Sequence, residues 1–386
     1  MATINFNSAA VNNNSAVATE NKPMAAVANI SVRKEAKPLS WGIMSGCKSF
    51  KTPVSVSTAI KEVEANYKVD KQSLVRVPEA FIESIKNGTP YMGSFSENDI
   101  ITTHMATYRE DNNKTLGVVG ANYGVVQNEK AFEFIDIITS GELGGDKPVI
   151  ETAGVLGYGE RMFVTAKMPK NMLIDGDNKS GIEDYILFTN SHDGSGAVTA
   201  LFTPVRVICQ NTLNLALKQA KNKLIFKHTA NVNTRLDWDN KENIEKAVAV
   251  LKMHEHYKKE FLNNLYNLSQ KKIENDTEII DFSAKVLATP AQYRLLKLAN
   301  FDMDKLTTEE LSTRNRNSIN ALCDTIESGV GQDEFRGTKL WLYNGLTSYL
   351  GNEKKYKTEE DKMNSIVLGG DANKKMQRGF DLLMAI

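Results

Sequence analysis

Arg206, Lys218, Lys221, Lys223, Lys227 and Arg235, with His228 beside them, fall in a stretch that contains no Asp or Glu between Asp193 and Asp237. Over the whole 386-residue chain, 47 Lys and Arg balance 47 Asp and Glu. Positive charge gathered on one segment of a neutral chain attracts an anion there. Gln210, Asn211 and Asn214 add hydrogen-bonding amides to the same segment, so the expected ligand is a phosphate or a nucleic-acid backbone. Leu213, Ala216, Leu217 and Ala220 share one face at helical spacing, which predicts a helix from Asn211. Arg206 would then stand at a strand-to-helix junction, where the helix N-terminal amides and positive dipole end would help it hold a phosphate. The strand aromatics Tyr158, Tyr185, Phe188 and Phe202 offer faces for stacking bases, with Phe188 and Phe202 read as core. The alternative for the lysines is a solvated helix face balanced by acids elsewhere in the fold.

Other chemistry-bearing residues fail on spacing. Ser191, His192 and Asp193 are consecutive, and neighbours in a strand or turn point in different directions, so they form no hydrolytic triad. Asp193-Gly194 is turn chemistry between two strands, with His192 placed at the hairpin tip within reach of a ligand. A hydrolase or nuclease using His192 and Asp193 would need a metal or carboxylate partner converging on that tip. His254 and His256 sit i and i+2 on a helix, about 200° apart, where a zinc pair needs i and i+4. Asp175 to Gly181 begins like a calcium loop, but Lys179, Ser180 and Ile186 break the pattern at its fifth, sixth and twelfth positions. Gly117, Gly120 and Gly124 do not make a dinucleotide fingerprint, and no phosphate-binding loop of the nucleotide-triphosphatase type occurs. No cofactor is expected. Cys47, Cys209 and Cys323 are too few and too scattered for a disulfide framework or a metal site, which fits a reduced cytoplasmic protein. Cys209 reads as a small buried core residue rather than a nucleophile.

The elements that would position these groups can be read from periodicity. Residues 1–38, rich in Asn, Ala, Val and Ser, form an expected disordered arm. An α+β core follows over 39–236 and a helical domain over 237–386. In the core, a short helix is expected at Thr58–Val63, strands at Ser73–Val77, Thr102–Glu110 and Leu116–Gly120, and a helix at Asn128–Thr139. Two hairpins come next, Val149–Leu156 with Arg161–Met168, then Tyr185–Asn190 with Ala197–Val207. Beyond Trp238, amphipathic helices are expected at Glu242–Ile273, Asp281–Ala288, Pro290–Leu298, Ser312–Ile326 and Leu340–Leu350, with Lys354–Arg378 partly ordered. The 41% hydrophobic and 24% charged fractions are those of an ordinary globular protein. The uncharged run Gly194–Val205 falls well short of the roughly 20 apolar residues that a membrane span needs.

Two motifs carry a resemblance. Ser191-His192-Asp193-Gly194-Ser195-Gly196-Ala197, followed by Phe202-Thr203-Pro204-Val205-Arg206-Val207-Ile208-Cys209-Gln210-Asn211-Thr212-Leu213, is similar to the phage/plasmid-like proteins carrying the domain of unknown function numbered 932. So is Gly337-Thr338-Lys339-Leu340-Trp341-Leu342-Tyr343-Asn344 with Leu346-Thr347. The resemblance covers roughly Trp41 to the C-terminus and implies a role in phage or plasmid biology in a bacterial host cytoplasm. It supplies no catalytic residues; Arg206, Cys209, Gln210, Asn211 and Thr212 match its signature. A further analogy, at the level of fold pattern alone, is to Rad52-type single-strand annealing proteins, which form rings around a positively charged groove. The expected function is therefore single-stranded nucleic-acid binding, as an annealing or recombination factor and a homo-oligomer. Its binding residues would be Arg206, Gln210, Asn211, Asn214, Lys218, Lys221, Lys223, Lys227 and His192. The alternative is a non-enzymatic phage structural or host-interaction (anti-defence) protein.

Overall fold

β-Branched and aromatic residues broken by glycine turns put much of the first half of the chain into antiparallel strands, and 3.6-residue apolar spacing puts the second half into helices. The computed structural model describes residues 46–140, 147–169, 182–206, 211–212, 223–236, 241–329, 333–366 and 370–385. The chain begins with β1 (Cys47–Ser49), α1 (Val56–Glu62), β2 (Val69–Val75), α2 (Glu79–Asn87), β3 (Ile100–Arg109), β4 (Thr115–Gly120) and α3 (Asn128–Ser140). Next come β5 (Val149–Leu156), β6 (Arg161–Lys167), β7 (Ile182–Ser191), β8 (Val198–Arg206), β9 (Asn211–Thr212) and β10 (Lys223–Phe226). Helices complete the chain: α4 (Val232–Arg235), α5 (Lys241–Gln270), α6 (Thr277–Leu287), α7 (Pro290–Leu298), α8 (Thr313–Ser328), α9 (Lys339–Ser348), α10 (Glu359–Ile366) and α11 (Asp371–Met384). The fold is α+β, as expected.

A seven-stranded antiparallel sheet is ordered β1-β5-β6-β7-β8-β10, with β9 also paired to β8, and a three-stranded sheet is ordered β2-β3-β4. Both expected hairpins are present, β5–β6 and β7–β8. Every residue of β7 is buried. On one side α1 packs against β5 and α3 against β7, with Phe134 edge-on to Phe188 at 6.0 Å. The helical half closes on the large sheet through α5 against β10 and α9 against β9. One apolar core runs from Val56 to Leu383, and a smaller one gathers Ala284, Leu296, Leu311 and Ile319 under α6, α7 and α8. Helix α9 is buried along its whole length. Gly345 permits this, since a Cβ there would lie 2.2 Å from Ile326 Cγ1 on α8.

The structure corrects the expected helix at Asn211. Asn211–Thr212 is strand β9, antiparallel to the end of β8 with Arg206 opposite Asn211, so no helix begins at Asn211. Lys223 likewise lies in a strand, opposite Leu201 of β8, rather than on a helix. The physical reason is tertiary: β8 presents unpaired backbone groups, and β-branched Thr212 and Ile225 suit a ladder. Residues 213–222, with the rest of that expected helix, lie outside the described residues, as do the N-terminal arm, Cys209 and the Asp175–Gly181 loop. Two further differences come from weak periodic signals. Helix α2 was not expected, and Lys354–Arg378 contains α10 and most of α11. In α11, Ala372, Met376, Phe380 and Leu383 form the buried face. Among the described residues no helix is long and apolar enough to cross a membrane.

Candidate nucleic-acid interface

The described strands of the acid-free segment, β8, β9 and β10, lie at the margin of the large sheet. β8 carries Arg206 at its end, β9 adds Asn211 beside it, and β10 carries Lys223 as the terminal strand of the main path. The exposed Lys227 follows β10 directly. Lys223 pairs with Leu201, five residues before Arg206 on β8, which is about 17 Å along the strand. Gln210, Asn214, Lys218 and Lys221 lie outside the described residues.

The sheet brings acids close to this margin that sequence distance had hidden. Glu183 and Asp184 of β7 stand opposite Val205 and Pro204 of β8, immediately before Arg206. Both are buried. Burying charges is costly unless they are paired and hydrogen-bonded. Glu183 meets that need by pairing with Lys167 and accepting from the Tyr185 hydroxyl at 2.8 Å. Tyr185 is fully buried, which removes it from the base-stacking candidates. Phe188 is buried core, and Tyr158 is exposed on the β5–β6 turn with the Lys114 ammonium 3.9 Å above its ring.

His192 is the first residue of the β7–β8 connection, as expected, but it is not within reach of a ligand. It is fully buried, at the joint where the small sheet meets the end of β7. Its carbonyl accepts from Thr107 of β3 at 2.7 Å, and its N–H donates to the Glu160 carbonyl at 2.7 Å. Its Nε2 lies 3.0 Å from Asn128 Oδ1, an acceptor, so the network assigns the neutral ring with its proton on Nε2. Asn190 Nδ2 donates to the same Oδ1 and to the Val126 carbonyl, both at 3.0 Å. Asn128 Nδ2 in turn donates to the Ala65 carbonyl at 2.9 Å. Tyr67 lies edge-on to His192 at 6.1 Å and donates to the Gly159 carbonyl at 2.9 Å. Burial pushes His192 down to about 3, helped by nearby His228 and opposed by Asp193.

A second histidine completes the joint. His228 stacks on Tyr123 at 4.7 Å and 13°, and its Nδ1–H donates to the Gly124 carbonyl at 3.0 Å. Burial lowers its pKa, against the Gly124 hydrogen bond and the Asp193 charge. Tyr123 donates to the Ser191 carbonyl at 2.7 Å. Gly117 of β4 lies so close to the turn that a Cβ there would sit 2.6 Å from Asp193 Cα. The turn itself is built as expected for Asp193-Gly194. Asp193 Oδ1 accepts from Ser191 Oγ, Ser195 N and Ser195 Oγ at 2.5, 2.9 and 2.6 Å, and Gly194 has φ +79°. Burial raises the Asp193 carboxyl, but these hydrogen bonds and the charge of Arg161 outweigh it and hold the group below its ordinary value. Arg161 donates to Ser195 Oγ at 2.5 Å and also reaches Asn364 of α10, so this one turn ties both sheets to the helical half.

Sequence reading missed Asn128, Asn190, Tyr67 and Tyr123 as partners of His192 and His228. A usable signal existed for Asn190, a lone amide at the end of the otherwise apolar run Tyr185–Phe188. Among the described residues no three His, Cys, Asp or Glu side chains gather to hold a metal.

Fold and margin together define an α+β protein with an antiparallel sheet backed by helices. The family model of the domain of unknown function DUF932 matches residues 115–367, about two thirds of the chain, and the protein belongs to that family. The match opens at β4 and closes just past α10, a shorter span than the motifs suggested. No curated protein and no solved structure matches the chain.

Proposed function

We propose that this protein binds single-stranded nucleic acid along the β8–β9–β10 margin, as a phage- or plasmid-borne annealing or recombination factor acting in a bacterial host cytoplasm. The observation that supports this reading is that the described strands of the acid-free stretch lie at that margin, with Arg206, Asn211, Lys223 and Lys227 in or beside them. Gln210, Asn214, Lys218 and Lys221 belong to the same segment. Phosphate contacts of this kind are sequence-independent and release counterions, so affinity falls steeply with salt. The resemblance to phage/plasmid-like proteins and the fold-level analogy to Rad52-type annealing proteins point the same way. The acids Glu183 and Asp184 weaken the field near Arg206 less than their number suggests, because Glu183 is already paired with Lys167.

The test is fluorescence anisotropy of labelled single-stranded DNA with wild type and with Arg206→Ala combined with Lys218, Lys221 and Lys223→Ala, at low and high salt. Salt-sensitive binding that the variant loses supports the reading. Absence of binding at low salt overturns it.

A second reading, a non-enzymatic structural or host-interaction (anti-defence) protein, is favoured by a different observation. Val75, Val77, Ile85, Met92, Phe95, Ile100 and Ile101 leave an apolar surface exposed around α2 and the adjoining end of the small sheet.

A further inference from the structure

A cavity of about 510 Å³ opens where the connection between α1 and β2 meets the end of β3. Glu64, Asn66, Tyr67 and Lys68 line it from the connection, and Arg109, Glu110 and Asp111 from β3 and the turn that follows. Its size is in the usual range for a small-ligand site. The Glu110 N–H donates to the Lys68 carbonyl at 3.0 Å, which holds the two walls together. Both cations of the lining are already engaged. Arg109 donates to the two Asp111 carboxylate oxygens at 3.0 and 2.7 Å and to the Tyr158 carbonyl at 2.9 Å, with its guanidinium 3.9 Å over the Tyr67 ring. Lys68 pairs with Glu129 outside the cavity. The exposed Glu64 and Glu110 have no ion-pair partner among the described residues. The backbone singles out Glu64 as well. Helix α1 ends in the double hydrogen bond usually closed by glycine, with Glu64 N–H on the Lys61 carbonyl at 3.1 Å and Ala65 N–H on the Ile60 carbonyl at 2.9 Å. Glu64 takes the glycine position at φ +54°, a left-handed conformation that strains a residue with a side chain. The helix end gains nothing from a side chain there, whereas the cavity gains a carboxylate.

We propose that this cavity binds a small aliphatic diamine or polyamine, Glu64 and Glu110 each taking one ammonium group. An ammonium has three N–H donors and no acceptor, which suits carboxylates that lack a partner. Hydrogen bonds between ions of opposite sign are the strong ones, so two of them fix both ends of a short linear chain. The methylenes between would cross the cavity past Tyr67 and Asn66. Anionic ligands are disfavoured by the same two carboxylates, because Arg109 and Lys68 already have acids beside them. A monoamine could engage only one carboxylate at a time. The inference is independent of the nucleic-acid reading, since no residue of β8, β9 or β10 lines the cavity.

The test is isothermal titration calorimetry of the full chain with putrescine, n-butylamine and magnesium chloride at matched ionic strength. Wild type is expected to bind putrescine more tightly than either of the others. Glu64→Gly and Glu110→Gln are each expected to weaken putrescine binding about tenfold, the effect of one charge-assisted hydrogen bond. Glu133→Gln, which changes an exposed carboxylate outside the cavity, is expected to leave binding unchanged. Glu64→Gly also separates binding from folding. It relieves the strained backbone, so its melting temperature without ligand is expected to equal or exceed that of wild type while its affinity falls. Failure of wild type to bind putrescine, equal binding by all three variants, or equal binding of n-butylamine or magnesium would each overturn the proposal. So would a Glu64→Gly variant that melts lower than wild type, since the glutamate would then serve the fold.

Discussion

The two sheets share antiparallel chemistry but are used in opposite ways. In the large sheet β7 is buried along its full length, and Met162, Phe163, Val164 and Ala166 of β6 have no measurable exposure. In the small sheet the first five residues of β3, Ile100–His104, are exposed, two of them isoleucines. Helices cover the first sheet, whereas the far end of the second is uncovered. The two meet at a joint that is polar yet buried, made by His192, Asn128, Asn190 and Thr107. Stability is thus concentrated in one sheet, and apolar surface able to meet a partner in the other. The joint between them depends on hydrogen bonds and on charge state.

That dependence gives the largest expected effect, a loss of the joint in acid. In the unfolded chain a histidine takes up its proton near pH 6.5, while folded His192 takes it up only near pH 3. The unfolded state therefore binds more protons throughout that window. The contribution of His192 is complete above pH 6.5 and is lost as pH falls, by about 4–5 kcal/mol at pH 3. His228, also lowered by burial, adds in the same direction. Denaturant titrations at pH 7, 6 and 5, where most carboxylates remain ionised, are expected to show stability falling through His192 by about 0.7 kcal/mol from pH 7 to 6 and about 1.2 kcal/mol from pH 6 to 5, with His228 adding in the same direction. His192→Gln is expected to remove its share of that slope. A profile flat between pH 7 and 5 would place His192 in a more open setting than the joint described.

Next in size is the contrast between the sheets themselves. Phe163→Ala empties a fully buried site in the centre of the large sheet and is expected to cost about 3–5 kcal/mol. Ile100→Ala in the small sheet, at a position 43% exposed, is expected to change stability by no more than about 0.5 kcal/mol. Urea midpoints of the two variants compare them directly, and equal losses would erase the distinction. A smaller effect is expected at the joint. Asn128→Ala leaves His192 Nε2–H without its acceptor and Asn190 without one of its two, at a cost of about 1–3 kcal/mol. A neutral outcome would show that water replaces the amide there.

Much of this architecture is written in local pattern, and what is not has a physical reason. Both hairpins of the large sheet follow from β-branched runs around glycine turns, and the start of α7 follows from Thr289 before Pro290, with Gln292 closing a capping box. Asn211 misled because Leu213, Ala216 and Leu217 have helical spacing, while β8 decides the conformation of Asn211–Thr212 by offering a ladder. No local rule places Glu183 beside the Arg206 margin, because register between strands is a tertiary property. His192 shows the same limit. Its neighbours Asp193 and Gly194 correctly announce a turn, but only the approach of β3 and β4, which Gly117 allows, turns a residue next to that turn into a buried one.

The smallest expected effect sharpens the contrast most, because it separates exposed apolar surface from core. Ile85→Ser and Met92→Ser remove side chains that are 64% and 93% exposed, so little apolar contact within the chain is lost. Their effect on the unfolding midpoint of the monomer is expected to stay within about 0.5 kcal/mol. If α2 were a poorly packed piece of the fold, the same changes would lower stability at every protein concentration. If these side chains are free surface, as their exposure states, the midpoints match wild type at every concentration. Thermal melts of both variants and wild type across a hundredfold range of protein concentration distinguish the two cases. Variant midpoints that stay within about 0.5 kcal/mol of wild type across the range are the expected outcome. Parallel curves offset by a fixed amount would return α2 to the core.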